Sequence, residues 1–127
     1  MNDVWHKSLL GTGTDPDKFV KFYQAVINKI QDNGAKVVLC TPAAIGERTD
    51  SSNMQDGDMN NYSNMIRDLA KKNNLKLVDL RKDFLDYNLK NNPENKEKGI
   101  LTTDKVHLND AGNQFVADKM FPFITEK

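Results

Sequence analysis

Cysteine occurs only once in this chain, at Cys40, which excludes an internal disulfide and any zinc motif built on cysteine pairs. Within "KVVLCTP" that residue reads more simply as a small apolar side chain of a buried strand than as a nucleophilic thiol. A surplus of one charge is also missing: 18 basic residues balance 18 acidic ones. No basic field addresses nucleic acid, and no acidic block forms a tail. No stretch approaches the roughly 20 apolar residues of a membrane span. "MNDVWHKSLL" lacks a basic start followed by an apolar run, so no signal peptide is legible and the compartment is left open. There is no glycine-rich phosphate loop, which places a flavin or nucleotide binder last among the readings. Asp50, Asp56 and Asp58 lie close together but miss the EF-hand spacing, so a solvated loop is expected there, with no metal or cofactor. What remains is a 127-residue chain, 38% hydrophobic, sufficient for one small core and at most one domain.

The order of elements is legible. Asp15 can cap a helix with Pro16 at its first position, where the missing N–H costs nothing. Phe19, Phe22, Tyr23, Val26, Ile27 and Ile30 then form one apolar stripe, and Asn33-Gly34 closes the helix. Val37 to Cys40 predict a strand covered on both faces, as in a parallel sheet, ended by Pro42. Residues 43–58 form a long polar connection of the kind that carries function, at the strand end where α/β proteins place ligands. Asp58 is a candidate cap for a helix over 59–73 with Tyr62, Met65, Ile66, Leu69 and Ala70 inward. "LKLVDL" predicts a second buried strand over 75–80, followed by a short helix with Phe84, Leu85 and Leu89 inward. After a polar stretch, 91–103, a final helix over 110–121 turns Ala111, Phe115, Val116, Ala117 and Met120 inward. Helix–strand–helix–strand–helix–helix is α/β alternation around a parallel sheet. Two strands are few for such a sheet, so the pattern reads as the second half of a fold.

The chemistry concentrates in "TTDKVHLNDAGNQF". A neutral imidazole takes a proton from a hydroxyl only in the right tautomer and orientation, and a buried carboxylate on Nδ1 sets both. Asp104 and His107, three residues apart on one tight turn, have that spacing, with Asn109 or Asp110 available to cap the last helix and hold the turn. A bare Asp-x-x-His also recurs by chance, and spacing alone leaves a plain surface turn open.

"DKVHLNDAGN" closely resembles the last block of the SGNH hydrolases, or GDSL lipase/esterase family, which reads D-x-x-H-L-N and is usually followed by a glycine. "NDVWHKS", residues 2–8, is similar to that family's G-x-N-D block. "GAKVVLCTPAAIGER" resembles its fourth strand and following loop, and "LKLVDLRKDFLDY" its fifth strand and next helix. The likeness implies a flavodoxin-like three-layer α/β/α sandwich, here its last two parallel strands and surrounding helices: a partial SGNH-type esterase domain over 1–127. It implies His107 as the catalytic base and later acid, and Asp104 as its orienting partner. Asn2 would be an oxyanion-hole donor, and Asp3 would hold the turn around Asn2. The implied activity is hydrolysis of a small ester, acetylated carbohydrates among the substrates, through an acyl-enzyme and without a cofactor. His6 matches no catalytic position and is left, with Trp5, to line the cleft or to pack.

The departures from the family are as informative. Its nucleophilic serine sits in Gly-Asp-Ser, upstream of the G-x-N-D block, and none of Ser8, Ser51, Ser52 or Ser63 has that context. The second-block glycine is missing too. Met1-Asn2-Asp3 stands where Gly-x-Asn-Asp is expected, which suggests a fragment or a false internal start. A base without a nucleophile has nothing to activate, so the chain alone is expected to be inactive. A non-catalytic remnant is the rival reading, with a sheet edge open to pairing with a second copy.

Overall fold

The computed structural model describes residues 1–125. Its elements are α1 (Asn2–Leu10), α2 (Pro16–Asp32), β1 (Val38–Cys40), α3 (Asp56–Lys72), β2 (Lys76–Val78), α4 (Leu80–Asn91) and α5 (Asp110–Thr125). After α1 the order is the alternation read from the sequence. The amphipathic pattern does not announce α1, because Val4 is its only buried residue. Pro16 opens α2 behind Asp15, whose side chain makes no capping hydrogen bond. Gly34, at φ 77°, takes the left-handed turn after the helix.

β1 and β2 pair in parallel, with Val38, Leu39 and Cys40 opposite Lys76, Leu77 and Val78. Side chains alternate across a strand, and here the alternation divides the core. Leu39 and Leu77 face Ile27 of α2 and Ile66, Leu69 and Ala70 of α3. Cys40 and Val78 face Leu80, Phe84 and Leu101, with Phe115, Val116 and Met120 of α5 beside them. Helices thus cover both faces of the sheet, the three layers of an α/β/α sandwich. A third cluster of Val4, Ile45, Met59, Tyr62 and Val106 lies apart from the strands.

Several expected faces are not covered. Only Ile27 of the α2 stripe is fully buried; Phe22 is 64% exposed and Val26 57%. Val38 is 37% exposed, so the start of β1 is left partly uncovered on one face. On α4 the buried residues are Leu80, Phe84 and Asn88, four apart, which turns Leu85 and Leu89 outward by one residue. On α5 the inward stripe runs through Gly112, Phe115, Val116 and Met120, leaving Ala111 and Ala117 exposed. α3 starts at Asp56, so Asp58 lies in its first turn and is not its cap. The 43–58 connection is core at its start, Ala43 through Glu47 being buried. Asp56 is buried as well, and is not solvated: its Oδ1 accepts from Arg81 Nη2 at 2.7 Å and its Oδ2 from Asn53 Nδ2 at 3.1 Å.

Candidate active site

The Asp-x-x-His turn hangs from a short antiparallel bridge, Thr102 to Leu108. Thr103 N–H donates to His107 O at 2.9 Å and closes it. Lys105 sits at the apex with φ 74°, a left-handed conformation held by its neighbours. Asp104 Oδ1 accepts from the N–H groups of Val106 (3.1 Å) and His107 (2.7 Å), which leaves Oδ2 for His107 Nδ1 at 2.7 Å. Of the two candidate caps, Asn109 is the one used: its Oδ1 accepts from Gly112 N–H at 2.8 Å at the start of α5.

His107 beside it, through its ring nitrogen first and its backbone N–H second, holds the Asp104 carboxyl well below the usual carboxylate range. An ionised carboxylate can only accept, so Nδ1 is the donor and Nε2 presents the lone pair. Asp104 is nevertheless exposed, at 53% of its side chain, with His107 at 65%. The carboxylate is therefore not buried as in the enclosed arrangement the spacing suggested, because the turn projects past the core that carries it.

This arrangement makes the turn acid-sensitive. The folded pKa of Asp104 lies below its unfolded value near 3.9, so its contribution is full above that pH and is lost as pH falls through the folded value. Asp79 behaves alike: burial pushes its carboxyl up, but hydrogen bonds from Arg67 and the Lys82 N–H outweigh burial and leave it low. The melting temperature is expected to stay level from about pH 5 to pH 8 and to fall below about pH 4. A melting series that rises through the acid range would contradict this.

Helix α1 borders the turn. The Trp5 ring meets His107 edge-on, centroids 5.6 Å apart at 83°. His6 is tilted against Trp5, centroids 5.2 Å apart, and both are partly buried. Asn2 lies three residues before Trp5, on the same side of the helix and exposed, and its carboxamide has no hydrogen-bond partner among the described residues. Asp3 Oδ1 accepts from Thr14 N–H at 3.0 Å, tying α1 to the approach to α2.

No serine completes the constellation among the described residues. Ser8, Ser51 and Ser52 are exposed, Ser52 is bonded to Asp50, and Ser63 is sealed within α3. Cys40 is half-buried, and desolvation pushes its thiol up, away from nucleophilic character. No cluster of three His, Cys, Asp or Glu side chains is placed to hold a metal ion among the described residues, and no helix there is long and apolar enough to cross a membrane.

One important residue was not singled out from the sequence. Glu47 is 2% exposed, and its carboxylate accepts from Ile100 N–H, Leu101 N–H and Thr102 Oγ1. Its signal was faint: a lone acid directly after an apolar run, in "AAIGE".

A parallel α/β/α sandwich presenting an acid-paired histidine on the turn before its last helix is the SGNH hydrolase fold. The chain belongs to the GDSL-like Lipase/Acylhydrolase family, whose family model matches residues 1–115. It is similar to a solved acetyl xylan esterase, AlAXEase, with TM-score 0.96 and 70% identity, covering 98% of this chain and 63% of that one. It also resembles LAE5, an alpha/beta hydrolase enzyme from the metagenome of Lake Arreo, Spain, with TM-score 0.79 and 23% identity over 95% of this chain and 54% of that one. A catalytic mutant of an acetylxylan esterase from Geobacillus stearothermophilus gives TM-score 0.81 and 19% identity over 100% of this chain and 57% of that one. The last two likenesses speak to the fold alone. The chain thus spans 63% of the length of the first relative and just over half that of the others. No curated protein sequence matches it significantly.

Proposed function

We propose that this chain is the base-bearing part of an ester hydrolase that removes small acyl groups, acetyl groups on a carbohydrate in particular. The observation that carries the reading is the 2.7 Å contact between Asp104 Oδ2 and His107 Nδ1 on a turn fixed at both ends. Membership in an acylhydrolase family and 70% identity to a protein described as an acetyl xylan esterase support it. His107 Nε2 takes the proton of a serine hydroxyl as its oxygen attacks the ester carbonyl, and Asp104 stabilises the imidazolium. The Asn2 carboxamide donates to the oxyanion of the tetrahedral intermediate, a contact worth roughly 2.7–4 kcal/mol in hydrolases of this type. Collapse of the intermediate expels the alcohol, which takes the proton from His107 and leaves an acyl-serine. Water, deprotonated by the same imidazole, then releases the acid and the serine.

No serine of this chain stands where that mechanism needs one. The isolated chain is therefore expected to hydrolyse p-nitrophenyl acetate no faster than its His107→Ala variant. Joined to the part of the acetyl xylan esterase that has no counterpart here, it is expected to turn over the ester and to lose about 10⁶ in rate on His107→Ala. An active chimera indifferent to that substitution would refute the reading.

The second reading, a non-catalytic interaction fragment, is favoured by one observation: among the described residues β1 pairs on one side only, with Val38 of that strand 37% exposed. Open edges and apolar patches drive association. Under this reading the isolated chain pairs edge to edge, and sedimentation of the same preparation reports a dimer that Val38→Lys, a charge on the edge strand itself, dissociates.

A further inference from the structure

The Asp104–His107 turn is not held by its own residues alone. We propose that Glu47 is a positioning residue for His107, acting through Thr102 across a relay of hydrogen bonds that begins inside the core and ends on the turn. Glu47 Oε2 accepts from Thr102 Oγ1 at 3.1 Å, and the same hydroxyl oxygen accepts from Lys105 N–H, also at 3.1 Å. A buried carboxylate thus fixes which way the hydroxyl points, and the hydroxyl engages the backbone at the apex of the turn. The hydroxyl has one proton, which goes to the carboxylate; its lone pair is then free for Lys105 N–H.

Two further contacts brace the relay. Gly46 N–H donates to Lys105 O at 2.8 Å, and Glu47 N–H donates to Glu97 O at 2.9 Å, so the loop after β1 grips both sides of the segment. Glu47 also binds Ile100 N–H and Leu101 N–H, the residues just before the Thr102–Leu108 bridge. No cation pairs with Glu47 among the described residues. Its partners are donors of the segment that carries His107, so they orient that segment where a counter-ion would only neutralise the charge. Lys105 Nζ is instead engaged with Glu97 at 3.2 Å, outside the relay.

A charge buried merely for packing would be an expensive choice where an apolar residue would serve. A charge that accepts three hydrogen bonds from one loop fixes that loop in register. The register matters because Lys105 must keep a left-handed backbone for Asp104 to fold back onto His107. If the apex relaxes, Oδ2 leaves Nδ1, and the imidazole is free to move its proton to Nε2. That nitrogen would then have no lone pair for a nucleophile's proton. The inference rests on the reading of His107 as a base for its purpose, but its test reads the imidazole directly and needs no activity.

The tautomer of His107 can be read from the ring ¹⁵N shifts of the chain in alkaline solution, where the imidazole is neutral. His6, the only other histidine and outside the relay, is the internal control. The wild-type chain is expected to show the Nδ1–H tautomer at His107. Thr102→Val keeps the shape and removes the hydroxyl, and it should shift His107 toward the Nε2–H tautomer. Thr102→Ser restores the hydroxyl and should restore the wild-type shifts. Glu47→Gln, if it folds, should resemble Thr102→Val; if it does not fold, the Thr102 pair decides. A folded Thr102→Val variant with unchanged His107 shifts overturns the proposal, whatever its melting temperature, as does a Thr102→Ser variant that behaves like the valine.

Discussion

Gly112→Ala is expected to lower the stability of the chain by about 3 kcal/mol and its melting temperature by roughly 10 °C. A Cβ at this position would stand 2.0 Å from Leu101 O, 3.0 Å from the Leu101 carbonyl carbon and 3.3 Å from Leu108 Cβ. The first two are backbone atoms and cannot swing aside. Leu101 is 1% exposed, and its carbonyl accepts from Asn109 N–H at 3.0 Å, so the segment cannot retreat without breaking the start of α5. Alanine would return up to about 1 kcal/mol as the better helix former, which is too little to reverse the sign. This contact gives a physical reason for the glycine in "HLNDAGN": α5 must approach the strand-like segment before the turn more closely than a side chain allows. The measurement is equilibrium urea denaturation of wild type and variant. A variant within a few tenths of a kcal/mol of wild type would mean that α5 slides without loss.

Glu47→Ala is expected to cost as much or more, about 3–5 kcal/mol, because it leaves two backbone N–H groups and one hydroxyl in the interior without an acceptor. Each such group costs about 1–3 kcal/mol. Water entering the space left by the carboxylate would satisfy one of them and keeps the total below the plain sum. Against the 5–15 kcal/mol that separates folded from unfolded states in a domain of ordinary stability, that is a large share. The loss should also be local in its signature. Amide hydrogens of Leu101 and of Lys105, which donate to Glu47 and to Thr102, are expected to exchange faster in the variant. Those of Ile66 and Leu69 in α3 should change only with global stability. An alanine variant as stable as wild type, with unchanged exchange at Leu101, would remove Glu47 from the description of the turn.

The sequence was most informative where the physics is local. Helical periodicity placed α2, α3 and α5, and apolar runs placed both strands within a residue or two. Ile27, Ile66, Leu69 and Phe84, all expected inward, are all buried. It was least informative about which side of a helix its neighbours would cover. Phe22 and Val26 carry the same apolar character as Ile27, yet they remain exposed, because neither reaches a core cluster among the described residues. Leu85 and Leu89 looked equivalent to Phe84, but α4 is rolled to bury Leu80, Phe84 and Asn88. Composition cannot distinguish one 100° sector of a short helix from the next. Helix α1 was missed for a related reason, since it buries a single residue and so carries almost no periodic signal.

The candidate site divides along the same line. The sequence by itself put Asp104 and His107 within reach of each other, three residues apart on one tight turn, while the same spacing left a plain surface turn open; the structure shows the contact, made within the turn. The sequence determined the helix–strand alternation as well, again for a local reason. Only the tertiary structure decided what holds the turn in place. Glu47 meets its partners across 53 to 55 residues of chain, a separation at which no spacing rule operates. Only the fold showed, too, that Asp56 is buried against Arg81 and that Gly112 is pressed on Leu101. These depend on where two loops and a helix end arrive once the sheet has formed, and that is set by packing among distant segments rather than by the residues beside them.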